Sequence, residues 1–200
     1  MTPLRLSAHI RRCPGLALRR TGRPGFAGDA GGIATVEFSL VAVPLFMLIA
    51  VIMEASILVF AQHGLDVSVE RAARLLRTGA FQDGANGSDP SARLRQLLCG
   101  ARLGLYRCDD LRLDLVRTAS FSAKQIVPPY DAERGDWAAG FGNRFDCPTG
   151  GSVIMLRAAV PVLRPFNFLD FTGQRMPGGR QLLMTTTVFR TEGYPDKPCT

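Results

Sequence analysis

Four residues near the N-terminus combine a flexible backbone with a carboxylate at helical spacing. Gly31 and Gly32 stand directly before Ile33, and Glu37 follows Ile33 by four residues. Glycine adopts backbone angles that other residues avoid, so this pair would let an extended chain enter a protease cleft. A cut after Gly32 would free the amine of Ile33, one helical turn from the Glu37 carboxylate. Because a carboxylate at a membrane edge is costly unless it is paired, the new amine, on the same chain or a neighbour, is its natural partner.

The residues that follow could cross a membrane. Residues 38–53 carry no charge, Glu54 interrupts the apolar run, and it resumes over residues 55–61. A spanning helix needs roughly 20 mostly apolar residues. A soluble helix must show a polar face to water, and this stretch has none over its first four turns. We therefore predict a transmembrane helix over residues 33–62, bent by Pro44 because proline removes a backbone donor.

Glu54 is the polar residue inside this predicted span. At helical rise it lies about 25 Å from Phe38, which places it near the outer boundary of the membrane. Two interpretations stay open from the sequence. The carboxylate makes a buried contact with a partner helix, or it reaches up to the lipid headgroups.

The order of glycine, glutamate, aromatic residue and proline-interrupted apolar helix resembles a known processing site. Gly32, Glu37, Phe38 and Pro44 are similar in turn to the pattern of type IV prepilins, and more closely to the TadE-like family of tight-adherence (Flp) pilus assembly proteins. Two later segments also resemble that family, namely ERAARLLRTGAF at residues 70–81 and VFRTEGY at residues 188–194.

The resemblance implies a function in assembly. It implies cleavage between Gly32 and Ile33 by a dedicated prepilin peptidase at the cytoplasmic face. Glu37 would then position the substrate or pair with a neighbour's amine, beside the aromatic Phe38. Other pseudopilins and the pilus assembly machinery are the implied partners, and the implied location is the bacterial inner membrane. A minor or priming role fits better than that of the major pilin, because major Flp pilins are very short.

The charge distribution separates a leader from the rest of the chain. Residues 1–32 contain six arginines and Asp29, a net charge of +5, whereas the other 168 residues carry 18 basic and 16 acidic side chains. Arginines before a span are typical of a cytoplasmic flank, so the N-terminus is expected inside and residues 63–200 outside. A nucleic-acid-binding function would need the basic charge on the folded domain, which is nearly neutral, so it is not predicted.

Four of the five cysteines lie on the predicted exported side. An even number in an oxidising compartment indicates disulfides. Nearness in sequence favours Cys99–Cys108, which leaves Cys147–Cys199, although four cysteines allow three connectivities. A zinc site is disfavoured because the chain has no CxxC pair and the exported His63 lies beside the membrane. No metal or other cofactor is predicted.

The exported part alternates between helical and strand patterns. The first helix is expected to continue to Thr78 and end at Gly79, with an apolar stripe that faces the core. That stripe comprises Leu65, Val69, Ala72 and Leu76. A second amphipathic helix is predicted from the Asp89 cap to Leu105.

Three strands are predicted around residues 111–115, 152–163 and 181–190, the second of them central. The fold class is thus α+β: a long N-terminal transmembrane helix that extends into a small periplasmic domain with a second helix and an antiparallel sheet of three or slightly more strands. The expected divisions are a leader at 1–32, the span at 33–62 and the domain at 63–200. Aromatic residues in the long loops at 128–151 and 164–179 are expected to cover the small core, with partner contact as the alternative.

No catalytic constellation emerges from the sequence. The two histidines are His9 in the leader and His63 at the membrane, so a serine or cysteine triad cannot be assembled. The chain is predicted to be a non-enzymatic pseudopilin. The rival hypothesis is a secreted or membrane-anchored binding protein. It would be cut by the general signal peptidase after Val59-Phe60-Ala61, or left uncleaved.

Overall fold

The computed structural model describes residues 31–100, 106–119, 128–166 and 173–200. The chain divides into two compact units, Met1–Pro44 and Leu45–Thr200. In the first unit, the described residues belong to the beginning of one long helix. Among the described residues, the second unit contains the rest of that helix and all the other elements.

The long helix α1 (Gly31–Thr78) ends where the sequence predicts. Gly79 follows it with φ +81°, a left-handed conformation that glycine adopts without strain and that commonly terminates helices. The predicted stripe is fully confirmed, because its members are at most 2% exposed. These are Leu65, Val69, Ala72 and Leu76.

In the described part of the chain, two short α-helices and a 3₁₀ helix (Cys108–Asp110) follow α1. α2 (Ala80–Asp83) begins directly after Gly79. α3 (Pro90–Cys99) begins at the predicted cap, where the Asp89 carboxylate accepts hydrogen bonds from the backbone amides of Ser91 and Ala92. Hydrogen bonding to Ser91 lowers the pKa of Asp89, since the bonds favour the charged form. α3 ends at Cys99, and the residues from 101 to Leu105 lie outside the described ranges.

An antiparallel sheet of four strands packs against the helices. In chain order its strands are β1 (Arg112–Thr118), β4 (Val153–Leu163), β5 (Gln174–Met176) and β6 (Arg180–Arg190), and their spatial order is β1-β4-β6-β5. β2 (Tyr130–Asp131) and β3 (Asp136–Trp137) form a separate hairpin. The three predicted strands are confirmed with β4 central, and β5 is the additional one.

The sheet has an apolar layer on each face. One face joins α1 and α3 in the main core, into which β4 contributes alternate residues Ile154, Leu156 and Ala158. The other face carries a smaller cluster around Tyr130 and Phe141, with Trp137 stacked on Phe141 at 5.9 Å between ring centroids. These aromatics of the 128–151 loop cover the core, as expected. Phe166 is 46% exposed, and Phe168 and Phe171 lie outside the described residues.

Both favoured cysteine pairs are present. Cys99 is bonded to Cys108 across the segment between α3 and β1. Cys147 is bonded to Cys199, 52 residues away, which attaches the C-terminal tail to the loop before β4. Cys199 is itself part of the main core.

Candidate processing and membrane-facing sites

The proposed cleavage residues lie at the start of α1. Gly32, Ile33 and Glu37 all belong to this helix, so the four-residue spacing corresponds to one turn, about 6 Å along the axis. The Glu37 and Phe38 side chains are exposed. The geometry suits pairing of Glu37 with an amine at residue 33 or with a cation on another chain.

The next part of α1 exposes its large apolar side chains on every side. Apart from the half-buried Val51, those between Val36 and Met53 are 44–72% exposed. Among the described residues one helix, Thr35–Thr78, is long and apolar enough to cross a membrane. Such a surface is unfavourable in water, since burial of apolar area is the main driving force of folding. Lipid or other apolar helices would satisfy it.

Two serine hydroxyl groups of this helix are satisfied by its own backbone. Ser39 Oγ donates to the carbonyl oxygen of Thr35 and Ser56 Oγ donates to that of Ile52, both at 2.8 Å. An unpaired polar group in hydrocarbon raises the free energy by roughly several kcal/mol. Polar side chains in membrane helices therefore need hydrogen-bond partners within the protein. Both serines meet this condition.

Glu54 is paired inside its own chain. Its Oε1 accepts a hydrogen bond at 2.8 Å from Nε of Arg164, the residue that follows β4. The side chains are 0% and 1% exposed. The backbone amide of Arg164 donates to Gly179 O at 3.0 Å, which fixes the arginine beside the turn between β5 and β6. The acid inside the apolar run thus fastens α1 to the end of the sheet.

The rival cleavage site after Ala61 lies within α1. Ala61 is fully buried and Leu58 nearly so, and both belong to the main core. A cut there would remove Glu54, and with it the carboxylate that accepts the hydrogen bond from Arg164 Nε. Because a buried charge that loses its partner is strongly unfavourable, the fold argues against cleavage at this position.

A second polar cluster ties α1 to β6. Thr185 Oγ1 donates a hydrogen bond to Asp66 Oδ1, and Gln62 Nε2 donates to the same oxygen at 2.8 Å. Gln62 also reaches Thr185 Oγ1 at 3.1 Å and Met184 O at 3.3 Å. Together with Glu54, these groups fix the register of the helix on the sheet.

The two later segments of the family resemblance meet in space. Tyr194 packs on Gly79, where an added Cβ would lie 3.0 Å from the ring, and its hydroxyl donates to Leu76 O at 3.3 Å. Gln82 Nε2 donates to the Tyr194 hydroxyl at 3.2 Å. Burial raises the pKa of Tyr194 above its ordinary value, because desolvation disfavours the phenolate.

The same junction includes the end of α1 and the end of β6. The guanidinium of Arg77 lies 5.6 Å from the centre of the Phe189 ring, and Arg77 O accepts a hydrogen bond from the amide of Glu192 at 2.9 Å. The Thr-Gly end of α1 and the VFRTEGY segment therefore form one structural unit, which closes the domain at the end of α1 far from Glu54.

A pocket of 320 Å³ lies on the face of the sheet opposite α1. Phe141, Arg144 and Arg157 are among its lining residues. Arg157 is 1% exposed, and burial lowers its pKa, while the charge of Asp114 opposes that shift. Asp114 is fully buried and accepts from the amides of Gly142 and Arg144 and from Arg144 Nη2. These contacts hold the loop before β4 against β1.

Sequence reasoning missed the partners of these residues. Arg164 stands alone between an apolar strand and Pro165, and nothing local links it to Glu54. Asp114 alternates with leucines as a surface strand residue would, yet it is buried. The sequence feature that could have indicated such a pair was Glu54 itself, because a carboxylate in an apolar helix requires a cation nearby.

Comparison with known proteins gives one match. Residues 32–74 match the family model described as TadE-like protein. No curated protein and no solved structure matches the chain. The matched segment begins at Gly32, contains Glu37 and the apolar helix, and ends within the stripe that packs on the sheet. The chain thus carries a TadE-like segment at residues 32–74, consistent with the TadE-like family of tight-adherence pilus assembly proteins.

Proposed function

We propose that this protein is a minor pseudopilin or assembly protein of the tight-adherence (Flp) pilus system. The observation that carries the proposal is the TadE-like match, which begins at residue 32 and includes both Glu37 and the membrane-type helix. In this account residues 1–32 are a cytoplasmic leader, α1 is anchored in the bacterial inner membrane, and residues 63–200 lie in the periplasm. The six arginines of the leader favour that orientation.

Processing takes place between Gly32 and Ile33 by a prepilin peptidase. The bond lies in the first turn of α1, where the first helical amides have no intrahelical partner. Two adjacent glycines weaken this turn further, since glycine is about 1 kcal/mol less favourable than alanine in a helix. The turn can therefore unwind into an extended substrate at little cost, while the helix from Glu37 onward stays intact.

Glu37 gives the new terminus its partner. Its exposed carboxylate lies one turn from the position of the freed amine. An amine and a carboxylate that remain unpaired at the membrane edge would each be unfavourable. Pairing within the chain holds the subunit in the membrane, and pairing with the amine of a neighbouring pseudopilin holds it in an assembly.

The folded part suits a minor subunit. Residues 45–200 form a compact unit with its own core and two disulfides, which is a large head for a pilin of this class. The rival function, a binding protein released after Ala61, is disfavoured because α1 contributes Leu58 and Ala61 to that core.

A pair of substitutions tests the proposal. Gly32→Leu places a branched side chain at the cleavage position, and Gly28→Leu makes the same change four residues earlier in the leader. Expressed in bacteria with a prepilin peptidase of the tight-adherence system, Gly28→Leu should mature normally, and Gly32→Leu should accumulate with its leader attached. Intact-mass measurement separates the two forms. Normal maturation of Gly32→Leu would contradict the assigned site.

A further inference from the structure

Apolar side chains are exposed on two different elements near the buried Glu54–Arg164 pair. On α1, Val59 and Phe60 are 66% and 63% exposed. At the end of β4, Leu163 is 65% exposed, and Phe166, three residues beyond the strand, is 46% exposed. Leu163 and Phe166 flank Arg164, so the ion pair brings them to the level of Glu54 on the helix. We call Leu163, Arg164 and Phe166 the apolar tip.

The exposed apolar surface of α1 extends past Glu54. Ile52 and Met53 precede the acid, and Phe60 lies about 9 Å beyond it along the helix axis. A membrane that covers all of these residues must rise above the level of the Glu54–Arg164 pair. The end of the sheet would then reach the same level as the apolar surface of the helix.

The backbone at the apolar tip is suited to that position. Leu163 is paired with Arg180 of β6, so its strand has a neighbour on that side. β1 pairs with β4 only as far as Ala159, which leaves the last residues of β4 as an edge. Pro161 stands in this edge and has no amide to leave unpaired. The charge of Arg164 is neutralised by a carboxylate that water does not reach.

We propose that the apolar tip is embedded in the boundary layer of the lipid bilayer, so that the domain is seated in the membrane rather than held above it by α1. This inference rests on the proposed membrane function and goes beyond it, because it assigns a lipid-binding surface to the sheet. The bilayer is the occupant because the apolar tip continues the exposed apolar surface of α1 at the same level. Phenylalanine and leucine side chains, such as those of Phe166 and Leu163, insert favourably at the boundary between headgroups and acyl chains.

Tryptophan fluorescence in vesicles tests the inference. The single native tryptophan is removed as Trp137→Phe, and one tryptophan is added as Leu163→Trp, Phe166→Trp, Ile52→Trp or Val188→Trp. Ile52 reports on α1. Val188 is the matched control, because it is an exposed apolar residue of the same sheet and pairs with Met155, about 26 Å along β4 from Leu163. The full chain is reconstituted into phosphatidylcholine vesicles that contain lipids brominated near the headgroup or near the chain ends.

The inference predicts several-fold stronger quenching of Leu163→Trp and Phe166→Trp than of Val188→Trp, with the headgroup-proximal bromines most effective. Quenching of Ile52→Trp without quenching at Leu163 and Phe166 would overturn the inference and leave the membrane function standing. Blue-shifted emission in that case would show that protein, and not lipid, covers the apolar tip. Absence of quenching at Ile52 would overturn both proposals. Equal quenching at Val188 would overturn the specific role of the apolar tip.

Discussion

Glu54 Oε1 and Arg164 Nε lie 2.8 Å apart, although 110 residues separate the two in the chain. Neither side chain is reached by solvent. The pair joins the apolar helix α1 to the end of the central strand β4. It marks the position along α1 from which the sheet packs against the helix. A buried ion pair fixes one arrangement of two elements more than it stabilises them, since desolvation offsets much of the attraction.

Removal of one partner of this pair should destabilise the fold more than removal of both. Arg164→Leu alone or Glu54→Leu alone should cost about 3–5 kcal/mol, because each removes one member of a buried ion pair and keeps the other. The double variant should recover most of that loss. Thermal unfolding of the purified protein in detergent checks this. If the losses of the two single variants simply add in the double variant, the pair is not coupled as described.

Substitution by alanine should lower the stability of the fold more at Gly79 than at another glycine with the same backbone conformation. Gly79 and Gly87 have φ +81° and +80°, so alanine carries a similar backbone penalty of about 1–2 kcal/mol at both. An added Cβ at Gly79 also meets the Tyr194 ring at 3.0 Å, whereas none of the described residues lies within 4 Å of one at Gly87. Overpacking adds about 1–3 kcal/mol.

Chemical denaturation of Gly79→Ala, with Gly87→Ala as the control, measures this difference. In a Tyr194→Ala background the excess loss at Gly79 should disappear, since the ring is gone. Equal losses for the two glycine variants in the native background would show that Tyr194 does not press on the end of α1.

The two disulfides should contribute unequally to stability. Replacing Cys147 and Cys199 with serine opens a loop of 52 residues, and the chain-entropy model gives a loss of about 4 kcal/mol. The same change at Cys99 and Cys108 opens a loop of nine residues and should cost about 3 kcal/mol. The first change also removes the covalent bond that holds buried residue Cys199 in the main core. The melting temperatures of the two double variants are each compared with that of the oxidised parent. A larger decrease for the Cys99 and Cys108 variant than for the Cys147 and Cys199 variant would contradict this prediction.

Tyr194 should make the fold sensitive to alkali. Burial raises its pKa above the ordinary value of 10.0, so the folded protein keeps the phenolic proton more tightly than the unfolded chain does. The stabilisation linked to this proton is complete below pH 10 and is lost as pH rises through the folded pKa. Tyr194→Phe should show less of this alkaline loss than the parent does. Denaturation midpoints measured between neutral pH and pH about 11 compare the variant with the parent. Identical profiles for the two would refute the assignment.

Several features of the fold follow from local patterns. The stripe from Leu65 to Leu76 has the helical period, and the alternation around Leu113 has the strand period, so both were predictable. The Asp89-Pro90 cap and Gly79 mark helix ends by their own chemistry. The preferred pairing of Cys99 with Cys108 needed only nearness in sequence.

Other features depend on contacts between distant segments, which no local pattern reports. Both interpretations of Glu54 from the sequence placed its partner outside the chain. The observed partner, Arg164, follows a strand whose position on α1 is determined only by the assembled fold. β5 is three residues long and shows no period, so it was not predicted. The meeting of Gly79 with Tyr194 likewise required the sheet to be built first.

The mature N-terminus tests the central claim most directly. The protein should be purified from the membranes of its native cells, and the N-terminal peptide should be identified by mass spectrometry. A chain that begins at Ile33, with the leader of residues 1–32 removed, is the predicted result. A chain that keeps its arginine-rich leader, or one that begins at Gln62 after loss of the apolar helix, would contradict the account.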